Sequence, residues 1–322
     1  METDYFKDKE ILITGGTGSL GKTIVYLLLD NHHPKGIRIF SRDELKQWEM
    51  RQQIGEAPIS YLVGDVRDRK RVELATKGVD IIIHAAALKQ VPACEDNPLE
   101  AIQTNVIGAQ NILYAALENK VQKVMTISTD KAVYPVNIYG ATKLCAEKLF
   151  VQGNVYSGGR SPRFSCCRYG NVLGSRGSIV PLFKKQAQET GSITITHKDM
   201  TRFWITLNKA AEFVLQSIED MEGGEIFVPM MPSAEVGKIA KAVAPITPIK
   251  YIGIRPGEKL HEILVTKEES RKTLVNHVKN RFVICSDLAS ISELLDRPEF
   301  EYRSETNEDW LSTNQIREMI NG

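Results

Sequence analysis

Residues 11 to 21 read Ile-Leu-Ile-Thr-Gly-Gly-Thr-Gly-Ser-Leu-Gly, and no other stretch constrains the fold as strongly. An apolar, β-rich run ends on glycine, and the residues after it carry a helical pattern. Gly15, Gly18 and Gly21 recur at every third position. A tight turn needs the first of them. The second lets main chain approach a pyrophosphate, and the third lets helix and strand pack closely. The N-terminus of the following helix then offers free N–H groups and a positive partial charge to phosphates. A plain glycine-rich turn would not need the strand before it or the helix after it. Gly15, Thr17, Gly18, Ser19, Leu20 and Gly21 are therefore expected to cradle a dinucleotide.

The same rhythm continues through the first half. Apolar β-rich runs at Glu10–Thr14, Gly36–Phe40, Ile59–Val63, Asp80–His84 and Lys123–Ser128 alternate with helical stretches. Those stretches are Ser19–Leu29, Asp43–Gln53, Lys70–Thr76 and Pro98–Glu118. A further helix over Asn137–Phe150 and a strand at Phe164–Arg168 follow. This order predicts an α/β protein: a Rossmann-type, doubly wound parallel sheet covered by helices on both faces. After Gly170 the rhythm loosens and Gly and Pro cluster. The expected division is a dinucleotide-binding domain over residues 1–170 and a smaller C-terminal α/β substrate-binding domain over 171–322, with 202–230 returning to the first. The last 30 or so residues, rich in charge, are expected as surface helix or tail.

The residue at the end of the second strand decides which dinucleotide fits, because an acid there holds a ribose 2′-hydroxyl. This chain has Ser41-Arg42-Asp43-Glu44-Leu45-Lys46. Arg42 and, one helical turn on, Lys46 favour a 2′-phosphate, so NADP is the expected cofactor. Asp43 suits a helix cap. Asp65 and Val66, after the third strand, are placed for the adenine, although Asp65 could equally cap the next helix.

Tyr139 and Lys143 stand at i and i+4, on one face of a helix. A tyrosine pKa near 10 is too high for a base at neutral pH, and an adjacent ammonium should lower it. Such a pair can take a proton from a substrate hydroxyl. The glycine loop, Asp65, His84-Ala85-Ala86-Ala87, Asn105, Thr129 and Tyr139/Lys143 occur in an order that resembles the extended short-chain dehydrogenase/reductases. The resemblance implies that Ala85, Ala86 and Lys143 contact the cofactor. It also implies that Thr129 positions the reacting hydroxyl and that Asn105 supports the fold or a proton path.

Asp130-Lys131 adds an acid and a base that a pure reductase or epimerase of this family does not need. With Ser41–Gln47, His84–Lys89, Ser128–Ala132, Asn137–Lys143, Arg168–Val172, Gly174–Ser178, Thr201–Ile205 and Gly257–Glu262, the pattern resembles the UDP-N-acetylglucosamine 4,6-dehydratases. The closer likeness is to the form that inverts carbon 5 and feeds pseudaminic acid synthesis. The chemistry that this implies starts with Tyr139 removing the 4-hydroxyl proton as hydride passes to tightly bound NADP. Lys131, made neutral by burial and by the charge of Lys143, then removes the carbon-5 proton. Asp130, protonated, assists loss of the 6-hydroxyl as water, and hydride returns to carbon 6. The product implied is a UDP-2-acetamido-2,6-dideoxy-β-L-arabino-hexos-4-ulose. By the same resemblance Asn171, Arg202 and Arg255 face the UDP diphosphate, Glu258 the uridine ribose, Pro181 and Thr194 the uracil, and Lys89 the sugar or phosphates.

Other classes are less well served by the residues. A 4- or 5-epimerase on the same fold would leave Asp130-Lys131 without a task, and a carbon-5-retaining dehydratase is the nearest alternative. A non-catalytic NADP-binding regulator would not need Thr129, Tyr139 and Lys143. A net charge of +1, from 41 basic and 40 acidic residues, argues against nucleic-acid partners. No apolar run approaches the roughly 20 residues that a bilayer needs. Five cysteines without a CxxC spacing argue against a disulfide framework or zinc site and suit a reducing cytoplasm. No metal is expected. A homo-oligomer, dimer or hexamer, is expected from the family resemblance.

Overall fold

The computed structural model describes residues 4–286 and 298–321. Its first half alternates strand and helix: β1 (Glu10–Thr14), α1 (Ser19–Asn31), β2 (Gly36–Ser41), α2 (Glu44–Ile54), β3 (Ile59–Val63), α3 (Arg69–Ala75) and β4 (Ile81–His84). Then come α4 (Val91–Asp96), α5 (Pro98–Ile102), a π-helical turn (Gln103–Ile107), α6 (Gly108–Glu118), β5 (Lys123–Thr129), α7 (Ile138–Gly153) and β6 (Arg163–Tyr169). The remainder is built from shorter pieces. They are β7 (Asn171–Val172), α8 (Ile179–Glu189), β8 (Ile193–Ile195), β9 (Thr201–Ile205), α9 (Leu207–Asp220) and β10 (Ile226–Pro229). β11 (Ser233–Glu235), α10 (Val236–Val243), β12 (Ile249–Tyr251), β13 (Ile263–Val265), α11 (Lys267–Ser270), β14 (Thr273–Asn276), β15 (Arg281–Ile284), β16 (Tyr302–Arg303) and α12 (Thr313–Asn321) complete it.

Nine strands form the main sheet in the order β14-β15-β10-β6-β5-β4-β1-β2-β3. β3 through β10 run parallel; β15 and β14 are antiparallel additions. The inner parallel strands are buried on both faces, which is why β1 and β4 read as nearly unbroken apolar runs. The order reverses between β1 and β4. A crevice opens at the carboxyl ends of the strands at such a switch point, and β5 stands beside β4 at its edge. The sheet takes three strands from the chain after residue 170.

A second cluster, including Leu173, Val180, Phe183, Ile195, Trp204 and Ile239, forms the core of the smaller lobe. The C-terminal stretch ends in the expected surface helix, α12, but it is packed and not a free tail. Leu311 and Ile316 are buried in that smaller core. The Tyr302 hydroxyl is buried too, bonded to the main chain of Met231. An amphipathic helix rich in charge still has one apolar face to bury, and α12 places it on α10.

The expected single helix over Pro98–Glu118 is also broken. The π-helical turn inserts Asn105, whose side chain receives a hydrogen bond from Leu88 N at 2.8 Å and donates to Leu88 O at 2.9 Å. It also donates to Thr142 on α7 at 3.0 Å. The extra residue per turn buys this three-way tie between β4's outgoing loop, α6 and the helix of Tyr139.

Candidate active site

The loop after β1 has the geometry its glycines suggested. Gly15 has φ +68°, and a Cβ there would lie 2.9 Å from Ala86 N. A Cβ on Gly21 would lie 2.6 Å from Gly16 Cα, so only glycine lets α1 begin this close to β1. Gly18 precedes α1 with no side-chain cap, leaving the helix N-terminus open to a ligand. Thr17, Ser19 and Leu20 line the same cleft, which has a volume of about 1290 Å³. Ser41, Arg42, Lys46, Asp65, Val66, Ala85, Ala86, Lys89 and Lys143 line it as well.

At the end of β2, Asp43 caps α2 through Lys46 N at 3.0 Å and pairs with the Lys46 ammonium. Arg42 is half exposed, and its guanidinium lies 3.9 Å from Asp65. Asp65 does not cap α3; Asp68 does. Burial works against the Asp65 carboxylate, but bonds from Arg67 outweigh it and hold its pKa below the ordinary value. The cradle that a side chain would fill, the uncapped helix and the basic residues at β2 together fit a nicotinamide dinucleotide.

β5 ends at Thr129, and a single 3₁₀ turn brings Lys131 to the cleft's inner wall and buries Asp130 behind it. Thr129 Oγ1 donates to Asp130 Oδ1 at 2.9 Å, and Lys131 Nζ donates to the same oxygen at 2.8 Å. Asp130 is fully buried, and its Oδ2 has no partner among the described residues. Asn137 caps α7 and sets the next two side chains: Tyr139, which faces Thr129 and Lys131, and Lys143 one turn later.

The charges of this cluster correct the expectation in two places. Lys131 is not neutral. Burial disfavours its ammonium, yet Asp130 and then Glu262 more than offset that and raise its pKa. Lys143 has no part in that balance. Nor does Lys143 lower Tyr139: burial dominates and pushes the phenol up to about 12, with Lys131 and Thr129 only moderating it. Lys143 is itself brought down to about 8 by burial. The i,i+4 spacing placed the pair on one face, but it carried no information about desolvation.

The substrate-side candidates divide. Asn171 lines the cleft, and its buried Oδ1 has no partner among the described residues. Arg202 takes a different position from the expected diphosphate contact. Its guanidinium donates to the carbonyls of Thr201, Lys259 and Leu260 and lies 3.6 Å from Glu262. Arg255 is exposed and its main-chain N–H meets Glu258, while Thr194 accepts from Gln186 and Pro181 is exposed on α8. None of these is among the residues that line the cleft.

The family model described as polysaccharide biosynthesis protein matches residues 11–284. The chain belongs to that family. It is 47% identical to the UDP-N-acetylglucosamine 4,6-dehydratase (inverting) of Campylobacter jejuni strain 81-176, covering 98% of each chain. It is 45% identical to the UDP-glucose 4-epimerase of Rickettsia canadensis, covering 83% of this chain and 80% of the relative. Among solved structures, Pen from Bacillus thuringiensis matches with a TM-score of 0.91 and 38% identity over 98% of each chain. The fold is that of the extended short-chain dehydrogenase/reductases, as the sequence resemblance implied.

Within this family fold the sequence reading gave no role of their own to four residues. Arg176 and Gln90 line the cleft, and Arg176 N donates to Ser19 Oγ at 3.0 Å, joining the smaller lobe to the glycine loop. Ser178 precedes α8, and its buried Oγ has no partner among the described residues. Glu262 is buried beside Lys131. For Ser178 the signal was present as a serine ahead of a helical run. Arg176 and Glu262 lie in segments that the sequence displayed, Gly174–Ser178 and Gly257–Glu262, but their contacts across the fold had no local signal, and Gln90 had none.

Proposed function

We propose that this chain is an inverting UDP-N-acetylglucosamine 4,6-dehydratase. The observation that carries the reading is the Thr129–Asp130–Lys131–Tyr139 cluster, which sets an acid and a base 2.8 Å apart beside a phenol. A bound NADP would supply the hydride acceptor and later donor, and its positively charged ring would favour the Tyr139 phenolate. Gly15, Thr17, Gly18, Ser19, Leu20 and Gly21 would hold its pyrophosphate, with Arg42 and Lys46 at the 2′-phosphate and Lys143 at the nicotinamide ribose.

Tyr139 takes the proton of the sugar's 4-hydroxyl, with Thr129 orienting that hydroxyl. The 4-ketone so formed acidifies carbon 5. The ion pair Asp130–Lys131 already contains the proton that elimination needs. When substrate excludes water, charge separation in the pair loses its solvation, and moving the proton from Lys131 Nζ to Asp130 becomes less costly. The result is a neutral amine for the carbon-5 proton and a carboxylic acid for the departing 6-hydroxyl. The hydride taken from carbon 4 would return to carbon 6, and a solvent-derived proton on the opposite face of carbon 5 would complete inversion. Asp130 Oδ2, without a partner in the pair, is free to accept the Lys131 proton. Asn171, with the unpartnered Ser178 at the start of α8, would meet the diphosphate.

The test is incubation with UDP-N-acetylglucosamine in deuterium oxide without added reductant, followed by proton NMR. A carbon-6 methyl signal, one deuterium at carbon 5 and the L-arabino configuration are expected. A product that keeps its 6-hydroxyl and is changed only at carbon 4 would overturn the dehydratase reading in favour of an epimerase. A methyl product unchanged at carbon 5 would overturn inversion alone. The same reading carries a homo-oligomer in the cytoplasm as its expected setting.

A further inference from the structure

Glu262 is 2% exposed and reaches the site from the smaller lobe, just ahead of β13. Three cations surround it: Lys131 at 3.7 Å, Arg202 at 3.6 Å and Lys259 at 3.4 Å. These are ion pairs longer than good hydrogen bonds, and Glu262 Oε2 has no hydrogen-bond partner among the described residues. The carboxylate is therefore shared among three cations without a close hydrogen bond to any one of them. Its main chain is fixed on both sides. Glu262 N donates to Ser304 Oγ at 2.9 Å, Ser304 N donates to Glu262 O at 2.9 Å, and Ser304 Oγ shares a bond of 2.7 Å with Thr201 Oγ1.

A purely structural carboxylate would be satisfied by Arg202 and Lys259 alone. Glu262 instead faces the one side chain of the acid–base pair that reaches the cleft. Resting on the dehydratase reading, we propose that Glu262 is a positioning residue of the elimination step: from the smaller lobe it holds the Lys131 amine beside Asp130 and sets how firmly the pair keeps its shared proton. Glu262 does not line the cleft, so it acts through Lys131 and not on the sugar.

The groups that face Lys131 are Asp130 and Thr129 on its own turn, Tyr139 on α7, Arg202 on β9 and Glu262, with Lys259 behind Glu262. The pair is active with one shared proton. Gaining a second proton or losing the last one ends activity, and the two limbs of the pH–rate profile belong to the pair as a unit. Removing a negative charge makes every protonated form less favourable. In Glu262→Gln both limbs should therefore move to lower pH, by about one unit for a charge at this distance. Glu262→Asp keeps the charge and should leave the limbs where they are, with a lower plateau. Lys259→Met removes a cation and should move them the other way.

The experiment is kcat against pH, read by NMR of the carbon-6 methyl, for the dinucleotide-loaded wild type and these three variants. Circular dichroism checks folding. If wild type forms no methyl product, the dehydratase reading falls and this inference falls with it. If wild type is active and the limbs of Glu262→Gln stay in place, the inference alone is overturned. If Glu262→Gln does not fold, Lys259→Met decides: an upward shift supports the role, and unmoved limbs overturn it.

Discussion

At the scale of single residues, this site is governed by desolvation more than by pairing. Lys131, Tyr139 and Lys143 line the cleft with Asp130 buried behind Lys131, and burial opposes the charged form of both Tyr139 and Lys143. Of the two lysines only Lys131 has its pKa raised, because two carboxylates face it. Lys131→Met should separate the two halves of the reaction. Oxidation at carbon 4 rests on Tyr139, so substrate should still reduce the bound dinucleotide, seen as absorbance near 340 nm. Water loss should fall by a factor of about 10² or more, the usual share of general acid–base catalysis. Normal methyl formation by this variant would remove Lys131 from the mechanism. His84 makes a second prediction at this scale. It is buried, bonded to Thr14 at 2.8 Å, and burial together with Lys143 lowers its pKa from 6.5 to about 3. The unfolded chain binds a proton at this histidine below pH 6.5 and the folded one does not. Stability should therefore decline as pH falls from 6.5 toward 3, by up to about 1.4 kcal/mol per pH unit from this group. Urea unfolding between pH 5 and 7 measures that slope. His84→Gln should flatten it, and an unchanged slope would show that the loss arises elsewhere.

At the scale of elements, the catalytic helix works because it lies so close to the Asp130–Lys131 turn. Gly140 is the contact point. A Cβ there would collide with the Lys131 carbonyl oxygen and would stand 3.1 Å from Pro135 Cβ. On an open helix surface Gly→Ala adds about 1 kcal/mol of stability. Here the obstacle is main chain, and overpacking of this kind costs about 1–3 kcal/mol. Gly140→Ala should lower the unfolding midpoint and reduce kcat by moving Tyr139 away from Thr129; a raised midpoint with normal kcat would refute the packing argument. The elements that the sequence displayed best are those whose signal is local. β1, β3 and α1 begin where the apolar runs and the glycine loop place them. The π-helical turn was hidden, since Asn105 sits in an ordinary helical pattern. Its bonds to Leu88 and Thr142 arise only when β4, α6 and α7 meet. Glu262 was hidden for the same reason. Its charge ring draws on β9, the turn after β5 and its own segment, with no spacing that a sequence could display.

At the scale of the whole molecule, the parallel sheet was legible because alternating strand and helix signals admit few topologies. The smaller lobe was not, because its strands β7, β8, β11 and β12 have two or three residues each and carry almost no periodicity. Yet that lobe reaches the glycine loop through Arg176 and Ser19, and the catalytic turn through Glu262 and Lys131. A dinucleotide held in the cleft should therefore stabilise both lobes together. Any ligand that binds only the native state adds about 2.7 kcal/mol at 100 times its Kd. NADP should raise the unfolding midpoint more than NAD at equal concentration, because Arg42 and Lys46 stand at the end of β2. Arg42→Ala should reduce that difference. UDP should add a further rise, and the rise should be larger on dinucleotide-loaded protein than on free protein, because the loop that contains Arg176 then has both ligands to close on. Differential scanning fluorimetry of wild type and Arg42→Ala with each ligand measures all of these quantities. Equal midpoints with NADP and NAD would refute the assigned role of Arg42, and strictly additive shifts from UDP and dinucleotide would show that the two lobes bind independently.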